Sequence, residues 1–325
     1  MKINQLMFLY AVEEMSFTRA AQRACVTQQC LSSHISRLEQ QYGTKLFNRS
    51  PRLSLTSAGE ALYKAFTQIK RIEENIAQEL SSDSRNIKGT LVMGIPSGRA
   101  QVIIPNFFAA YRQIYPNITL NIVLGQTEAM SGMLKNGTLD LFLGVSTAPA
   151  QDFDTDYILD DEIYLVATEE FLTRHLGSWK KERQTISPEE ISSLPLALNP
   201  EISTVKRIVL DYLTKYKITP NVLCEIADYS TKFLMCQAGQ IAFFSPSSLL
   251  LQNSFQNSQK DIRQRRIIPL RPDGMTITAR IELVRSKNHY LPKYVEPLRK
   301  VFVDTYRANY RQIHDFLSSR TLAQK

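Results

Sequence analysis

The sequence predicts a multi-domain chain, mainly α at its N-terminus and α/β thereafter, with one long helix joining the parts. Three observations carry this. Short apolar stripes at helical spacing fill the first 43 residues or so, with tight breaks between them. An apolar stripe then runs without a breaker from Ser57 to about Leu80. From Gly89 onward, β-branched strand runs alternate with helical patterns, the signature of βαβ units and a mostly parallel sheet. A length of 325 residues suggests two or three domains, and 43% hydrophobic with 22% charged residues is ordinary for a globular core.

The first predicted helix covers Ile3 to Glu14, with Ile3, Leu6, Leu9, Tyr10 and Val12 on its apolar face. Ser16 and Thr18 offer caps for a second helix carrying Phe17, Ala20, Ala21 and Ala24. The two small alanines let another helix cross closely. Cys25-Val26-Thr27 breaks the pattern, and Thr27 is placed to cap a third helix ending near Gly43. Leu46 and Phe47, a polar tip with Pro51, and alternating Leu53 and Leu55 then read as a short hairpin, with Arg49 and Arg52 near its tip. For the long helix, Ser57 and Glu60 have capping-box spacing and Thr56 is the alternative cap. Its stripe of Leu62, Phe66, Ile69, Ile76 and Leu80 must be buried against either the rest of the chain or a second copy. Residues 81–86, SSDSRN, form a polar hinge.

Strands are then predicted at Thr90–Ile95, Ile118–Leu124, Leu139–Gly144, Glu162–Ala167, Leu194–Leu198, Val222–Ile226, Ile241–Phe244, Ile267–Leu270 and Ile277–Val284. Helices are expected around Ile103–Tyr111, Glu128–Lys135, Val205–Tyr216, Thr231–Ala238 and Tyr294–Leu317.

Charge is unevenly spread. The net +8 divides into +4 over residues 1–88, −5 over 89–259 and +9 over 260–325. A basic N-terminal segment agrees with phosphate contact. The C-terminal excess reads as a solvated basic face, with a role near DNA or a partner as the second reading. No run of about 18 apolar residues exists to cross a membrane, and the N-terminus has no signal-peptide pattern, so a cytoplasmic chain is expected. Cys25, Cys30, Cys224 and Cys236 lack a C-x-x-C, and all four are expected as buried free thiols, Cys25 and Cys30 as small core residues. The four histidines show no metal-ligand spacing, and no P-loop, G-x-G-x-x-G after a strand or Ser/His/Asp signature is present, so neither a cofactor nor an enzymatic activity is expected.

The third helix carries the most specific signal. Leu31, Ile35 and Leu38 make a single stripe at i, i+4, i+7, while the other faces hold Gln28, Gln29, Ser32, Ser33, His34, Ser36 and Arg37. These are mostly neutral hydrogen-bonding side chains rather than the Glu/Lys mixture of a solvated helix. They suit the major groove of double-stranded DNA, where base edges present donors and acceptors. Candidate DNA-binding residues are therefore Thr27, Gln28, Gln29, Ser32, Ser33, His34 and Arg37, with Arg49 and Arg52 for phosphate or minor-groove contact.

The chain resembles the LysR-type transcriptional regulators over nearly its whole length. The resemblance rests on Ser16-Phe17-Thr18-Arg19-Ala20-Ala21, Thr27-Gln28, Leu31-Ser32, Ile35, Leu38-Glu39, Gly43, Leu46-Phe47-Asn48-Arg49 and Leu55-Thr56-Ser57-Ala58-Gly59, in that order and spacing. Weaker matches follow at Leu91-Val92-Met93-Gly94, Tyr115-Pro116, Gly137-Thr138-Leu139-Asp140-Leu141 and Ala238-Gly239-Gln240-Ile241-Ala242. Gln29 and Ser33 depart from the family's common Pro and Arg or Lys, and Met15 stands where Gly is common.

The resemblance implies a winged helix-turn-helix over residues 1–58 and a dimerising linker helix with hinge over 59–86. It implies an effector domain over 87–325, similar to a type 2 periplasmic binding protein. Lobe I would take about 87–163 and 267–325, and lobe II about 164–266, with the return near Ile267. A homodimer or homotetramer is implied. The inter-lobe cleft would be lined by Ser97, Gly98, Arg99, Gln126, Thr127, Asn199, Ser203, Thr204, Ser245 and Pro246. Ser97, Thr127 and Ser203 would bond a carboxylate, with Arg99 as counter-ion if it points inward, so the expected effector is a small organic anion. The competing reading is a soluble binding protein or enzyme built on the two-lobed domain, with an N-terminal helix bundle that does not bind DNA.

Overall fold

The structure is a computed structural model describing residues 1–50, 52–80, 88–180, 183–250, 267–273 and 276–322. The proposed hinge at 81–86 and the side chain of Leu80 lie outside the described residues. The chain divides into two compact units, one built on Met1–Gly89 and the other on most of the chain after it.

In the first unit, α1 (Ile3–Glu14), α2 (Phe17–Arg23) and α3 (Gln28–Tyr42) precede a hairpin of β1 (Phe47–Asn48) and β2 (Ser54–Leu55), then α4 (Ser57–Leu80). Ser16 Oγ accepts from the Arg19 amide and Thr27 Oγ1 from the Cys30 amide, so both caps fall where the sequence places them. The α2–α3 turn is closed by the Val26 amide donating to Ala21 O at 3.0 Å, with Cys25 at φ +55°. That turn leaves Cys25 exposed rather than in the core, and Cys30 is half-buried. On α1, Ile3 is exposed and Phe8 is fully buried, because the helix turns Phe8, Leu9 and Val12 onto α2 and α3.

The hairpin is antiparallel, Phe47 opposite Leu55 and Asn48 opposite Ser54. Thr56, not Ser57, caps α4: its Oγ1 accepts from the Gly59 amide at 3.0 Å and donates to Lys45 O at 2.7 Å. Gly59 is required by close approach, since a Cβ there would stand 2.1 Å from Leu46 O. The α4 stripe divides in two. Phe66 is 2% exposed and meets the Phe8 ring edge-on at 5.8 Å, and Leu62 joins the same core. Phe66 therefore fixes α4 to its own unit instead of entering a seam between copies. Ile69, Ile72 and Ile76 remain 38–42% exposed.

The second unit holds β3 (Gly89–Ile95), α5 (Ser97–Ile114), β4 (Ile118–Leu124), α6 (Thr127–Lys135), β5 (Leu141–Val145) and β6 (Phe153–Thr168). Next come α7 (Glu169–Leu176), β7 (Thr185–Ile186), α8 (Pro188–Ser192), β8 (Pro195–Leu198), α9 (Thr204–Lys215), β9 (Asn221–Glu225), α10 (Tyr229–Gln237) and β10 (Ala242–Pro246). The last elements are β11 (Ile267–Pro272), β12 (Thr278–Ser286) and α11 (Val295–Leu322).

The strand order is β4-β3-β5-β12-β6-β10-β8-β9, and β6 serves both lobes. Its first part, from Phe153 to Glu162, pairs with β12 in lobe I. Its second, from Ile163 to Thr168, pairs with β10 and β11 in lobe II. Because β11 pairs with that second part and with β7, the chain is still in lobe II at Ile267. It re-enters lobe I at β12, where Thr278 faces Glu162.

The strand predicted from Glu162 extends back to Phe153, through aspartates that are uncommon in strands. They are paired: Arg285 binds Asp154, Arg299 binds Asp156, and Arg271 reaches Glu162 at 2.9 Å. Three of the C-terminal arginines, Arg271, Arg285 and Arg299, are thus engaged with the acidic strand β6.

Candidate nucleic-acid interface and inter-lobe cleft

In the first unit, Leu31, Ile35 and Leu38 are buried, which turns the opposite side of α3 outward. Thr27, Gln28, Gln29, Ser33 and Arg37 are exposed and Ser32 is half-buried. His34 sits apart from them: its Nδ1 donates to Asn4 Oδ1 at 2.6 Å, holding the ring against α1. On the hairpin, Arg49 and Arg52 are exposed. Arg49 lies over the Phe17 ring at 5.6 Å and 3.7 Å from Glu39 Oε2, so its charge is partly countered at rest.

Glu39, which the sequence marks only as part of the Leu38-Glu39 match, organises this surface. Its carboxylate is 5% exposed, accepts from the Leu46 amide at 2.9 Å and from Lys45 Nζ at 3.3 Å, and so ties the hairpin to the end of α3. An acidic residue at the end of the apolar stripe, six residues before Lys45, was the available signal.

In the second unit, Ser97, Gly98, Arg99, Gln126, Thr127, Asn199, Ser203 and Thr204 line one cleft, together with Tyr229 and Leu249. The cleft is partly open to solvent. Ser245 and Pro246 do not line it; Ser245 Oγ is fully buried and donates to Pro246 O at 3.1 Å.

The cleft is built from helix starts. α5, α6 and α9 begin at Ser97, Thr127 and Thr204, each at its edge, and helix starts carry unpaired N–H groups and positive partial charge. Pro96 and Ser203, the cap residues of α5 and α9, make no side-chain cap bond. Thr127 Oγ1 accepts from the Val145 amide at 3.1 Å, which leaves its O–H to donate. Gly98 lets Tyr229 close in: a Cβ there would meet the Tyr229 ring at 3.1 Å.

Arg99 points away from the role of counter-ion. Its Nη2 donates to Asp161 Oδ2 at 2.9 Å and its Nε to Tyr306 Oη at 3.1 Å. Burial opposes the Arg99 charge, but Tyr306 and Asp161 outweigh it and raise its pKa above the ordinary value. Burial in turn pushes the Tyr229 and Tyr306 phenols up to about 12, so both hydroxyls keep their protons at neutral pH. Asp161 also accepts from Ser247 Oγ at 2.8 Å and Ser248 Oγ at 2.6 Å, a network that a lone aspartate in Asp160-Asp161-Glu162 did not announce.

Comparison with known proteins follows the same division. The profile described as "LysR substrate binding domain" matches residues 84–307, and that described as "Bacterial regulatory helix-turn-helix protein, lysR family" matches residues 4–60. The HTH-type transcriptional regulator CysL of Bacillus subtilis (strain 168) is 28% identical over 161 residues, covering 49% of this chain and 54% of that protein. The chain thus spans about half the length of the curated relatives it matches. Among solved structures, full-length OxyR from Pseudomonas aeruginosa superposes with a TM-score of 0.69 at 18% identity, covering 94% of this chain and 95% of that one. Full-length CbnR complexed with its target DNA gives 0.64 at 18% identity, covering 95% and 100%. These likenesses concern the fold.

Proposed function

Because this chain belongs to the LysR family of bacterial regulatory helix-turn-helix proteins, we propose that it is a sequence-specific DNA-binding transcriptional regulator controlled by a small-molecule effector. The observation that carries the DNA-binding half is the exposed Gln28, Gln29, Ser33 and Arg37 on a helix anchored by a fully buried stripe. Gln28 and Gln29 lie at the N-terminal end of α3, the end that helix-turn-helix proteins present to bases. Arg49 and Arg52 meet phosphate. The protein acts from the cytoplasm as a homodimer or homotetramer, and Ile69, Ile72 and Ile76 on α4 supply the dimer seam.

The effector we propose is a small organic anion. Arg99 cannot attract it, being neutralised by Asp161, so the attraction comes from the three helix starts and the hydroxyls of Ser97 and Thr127. Lobe closure on the ligand then shifts how the dimer presents its DNA-binding units, if the closed state binds more tightly.

A gel-shift assay with the DNA upstream of the protein's own gene tests the first half: a specific, salt-sensitive shift is expected, and none at low salt rejects it. A calorimetric screen of carboxylates against the full chain tests the second. Hits that are all cations or neutral apolar molecules reject the anion, as do hits indifferent to Ser97→Ala and Thr127→Ala.

A further inference from the structure

Lys232 on α10 is fully buried, and its ammonium has an unusual setting. Its Nζ donates to Asn199 Oδ1, a neutral amide oxygen. It lies 3.7 Å from the centre of the Tyr229 ring and 5.6 Å from that of Phe243 in β10. The titratable groups facing it are the Tyr229 phenol, Asp228 at the cap of its own helix, and the Cys224 thiol in β9. Asp228 is engaged, accepting from the Thr231 amide and hydroxyl at 2.7 and 2.8 Å.

An ammonium has three donors and no acceptor. It therefore fixes which way the Asn199 amide points, with Oδ1 toward Lys232 and Nδ2 away. Nδ2 donates to Ser203 Oγ at 3.0 Å and to Tyr229 Oη at 3.1 Å. Each hydroxyl has one hydrogen. Since both accept from Asn199, neither spends its hydrogen there, and both residues line the cleft. Ser203 does not spend its hydroxyl on capping α9 either.

We propose that Lys232 is a positioning residue that sets the hydrogen-bond polarity of the lobe II wall. Through Asn199 it frees the Ser203 and Tyr229 hydroxyls to donate to an anion, and anion binding is thereby coupled to its own protonation. The proposal rests on the reading of the cleft as the effector site. When Lys232 loses its proton, its amine keeps two donors and gains a lone pair, which lifts the restriction on Asn199 and allows a flipped amide whose Nδ2 donates to that lone pair. Oδ1 then faces Ser203 and Tyr229 and takes their hydrogens, and the wall offers oxygen lone pairs where the anion needs donors. Burial, opposed by Asp228 and Cys224, lowers the Lys232 pKa to about 7, which places this change in the physiological range.

The test uses the full chain with malonate, succinate and glutarate as probes, by calorimetry from about pH 6 to about pH 9. The tightest probe is expected to lose affinity above pH 7, by up to about tenfold per pH unit. Lys232→Met is expected to bind about tenfold or more weakly at the acid end and to show no such pH dependence. Asn199→Asp keeps an acceptor for Lys232 but claims both hydroxyl hydrogens, and is expected to abolish binding while the protein melts as a folded chain. Probe binding that is lost in Ser97→Ala, yet as tight in Lys232→Met as in the wild type at the acid end, overturns the coupling and leaves the effector site standing. Should no probe bind the wild type, the anion reading fails. The coupling then fails with it; where a probe does bind, the ¹⁵N shift of Lys232 Nζ reads the switch directly, and a midpoint near the ordinary lysine value of about 10.4 overturns it.

Discussion

Arg99 and Asp161 form a sealed ion pair between the start of α5 and the middle of β6, 2.9 Å apart and 4% and 0% exposed. Ser247 and Ser248 supply further donors to the carboxylate, so each charge is satisfied inside the fold. The pair joins β6, where the chain passes from one lobe to the other, to the helix whose first turn edges the cleft.

Removing one partner of such a pair strands the other. Asp161→Ala is expected to destabilise the second unit by about 3–5 kcal/mol, because the Arg99 charge is left buried and uncompensated. Urea denaturation followed by tryptophan fluorescence reads this out. The double change Arg99→Met, Asp161→Leu should recover most of the loss, since neither charge remains. A single variant as stable as the wild type would show that water reaches Arg99 and the pair is not sealed.

The two halves of the α4 stripe should separate experimentally. Phe66→Ala removes a ring packed on Phe8 and is expected to cost about 3–5 kcal/mol in stability. Ile76→Asp touches an exposed position and should leave folding nearly unchanged while weakening self-association in sedimentation. Phe66→Asp is therefore a folding variant, not a dimer variant. If Ile76→Asp sediments like the wild type at low concentration, the seam lies elsewhere.

Met15 closes α1 in the left-handed region, at φ +43° and ψ +34°, with a side chain 41% exposed. An L-residue pays about 1–2 kcal/mol for that conformation, and glycine does not. Little packing is lost on replacing an exposed methionine, so Met15→Gly should raise the stability of the first unit by about 1 kcal/mol. Thermal melting checks the direction; a lower midpoint would mean that Met15 contributes more contact than its exposure suggests.

What spacing could show in this sequence was burial, and what it could not show was the partner. Leu31, Ile35 and Leu38 recur at helical intervals, so the outward face of α3 with Gln28 and Gln29 followed directly. The α4 stripe was equally plain, yet periodicity cannot say that Phe66 meets Phe8, 58 residues earlier. The cleft residues followed from the family resemblance and not from the pattern, since strand ends and helix starts do not say which of them share a cleft, and Ser245 and Pro246 fall outside it. The state of Arg99 was not legible, because its partner Asp161 lies 62 residues away in sequence. Lys232 was missed for the same reason: a single lysine in Tyr229-Ser230-Thr231-Lys232-Phe233 looks like a solvated helix residue until the fold closes Asn199 over it. The return to lobe I that the resemblance implies near Ile267 falls instead at β12, because strand runs carry no label for the edge they join.

The last prediction concerns how the first unit divides affinity from specificity. Arg52 is exposed on the hairpin tip and Gln29 is exposed in the first turn of α3. A phosphate contact is blind to sequence and releases counterions, whereas a glutamine amide matches the donor and acceptor of an adenine edge. Arg52→Ala should therefore weaken binding to all duplexes alike and reduce the slope of log K against log salt by about 1. Gln29→Ala should keep the slope and relax discrimination at one base pair, by about 1–3 kcal/mol. His34→Ala should do neither, because its ring is engaged with Asn4. Fluorescence anisotropy on a verified operator and its single-base variants, over a range of salt, separates the three. A flattened salt slope in Gln29→Ala together with an unchanged one in Arg52→Ala would invert the assignment of helix and hairpin.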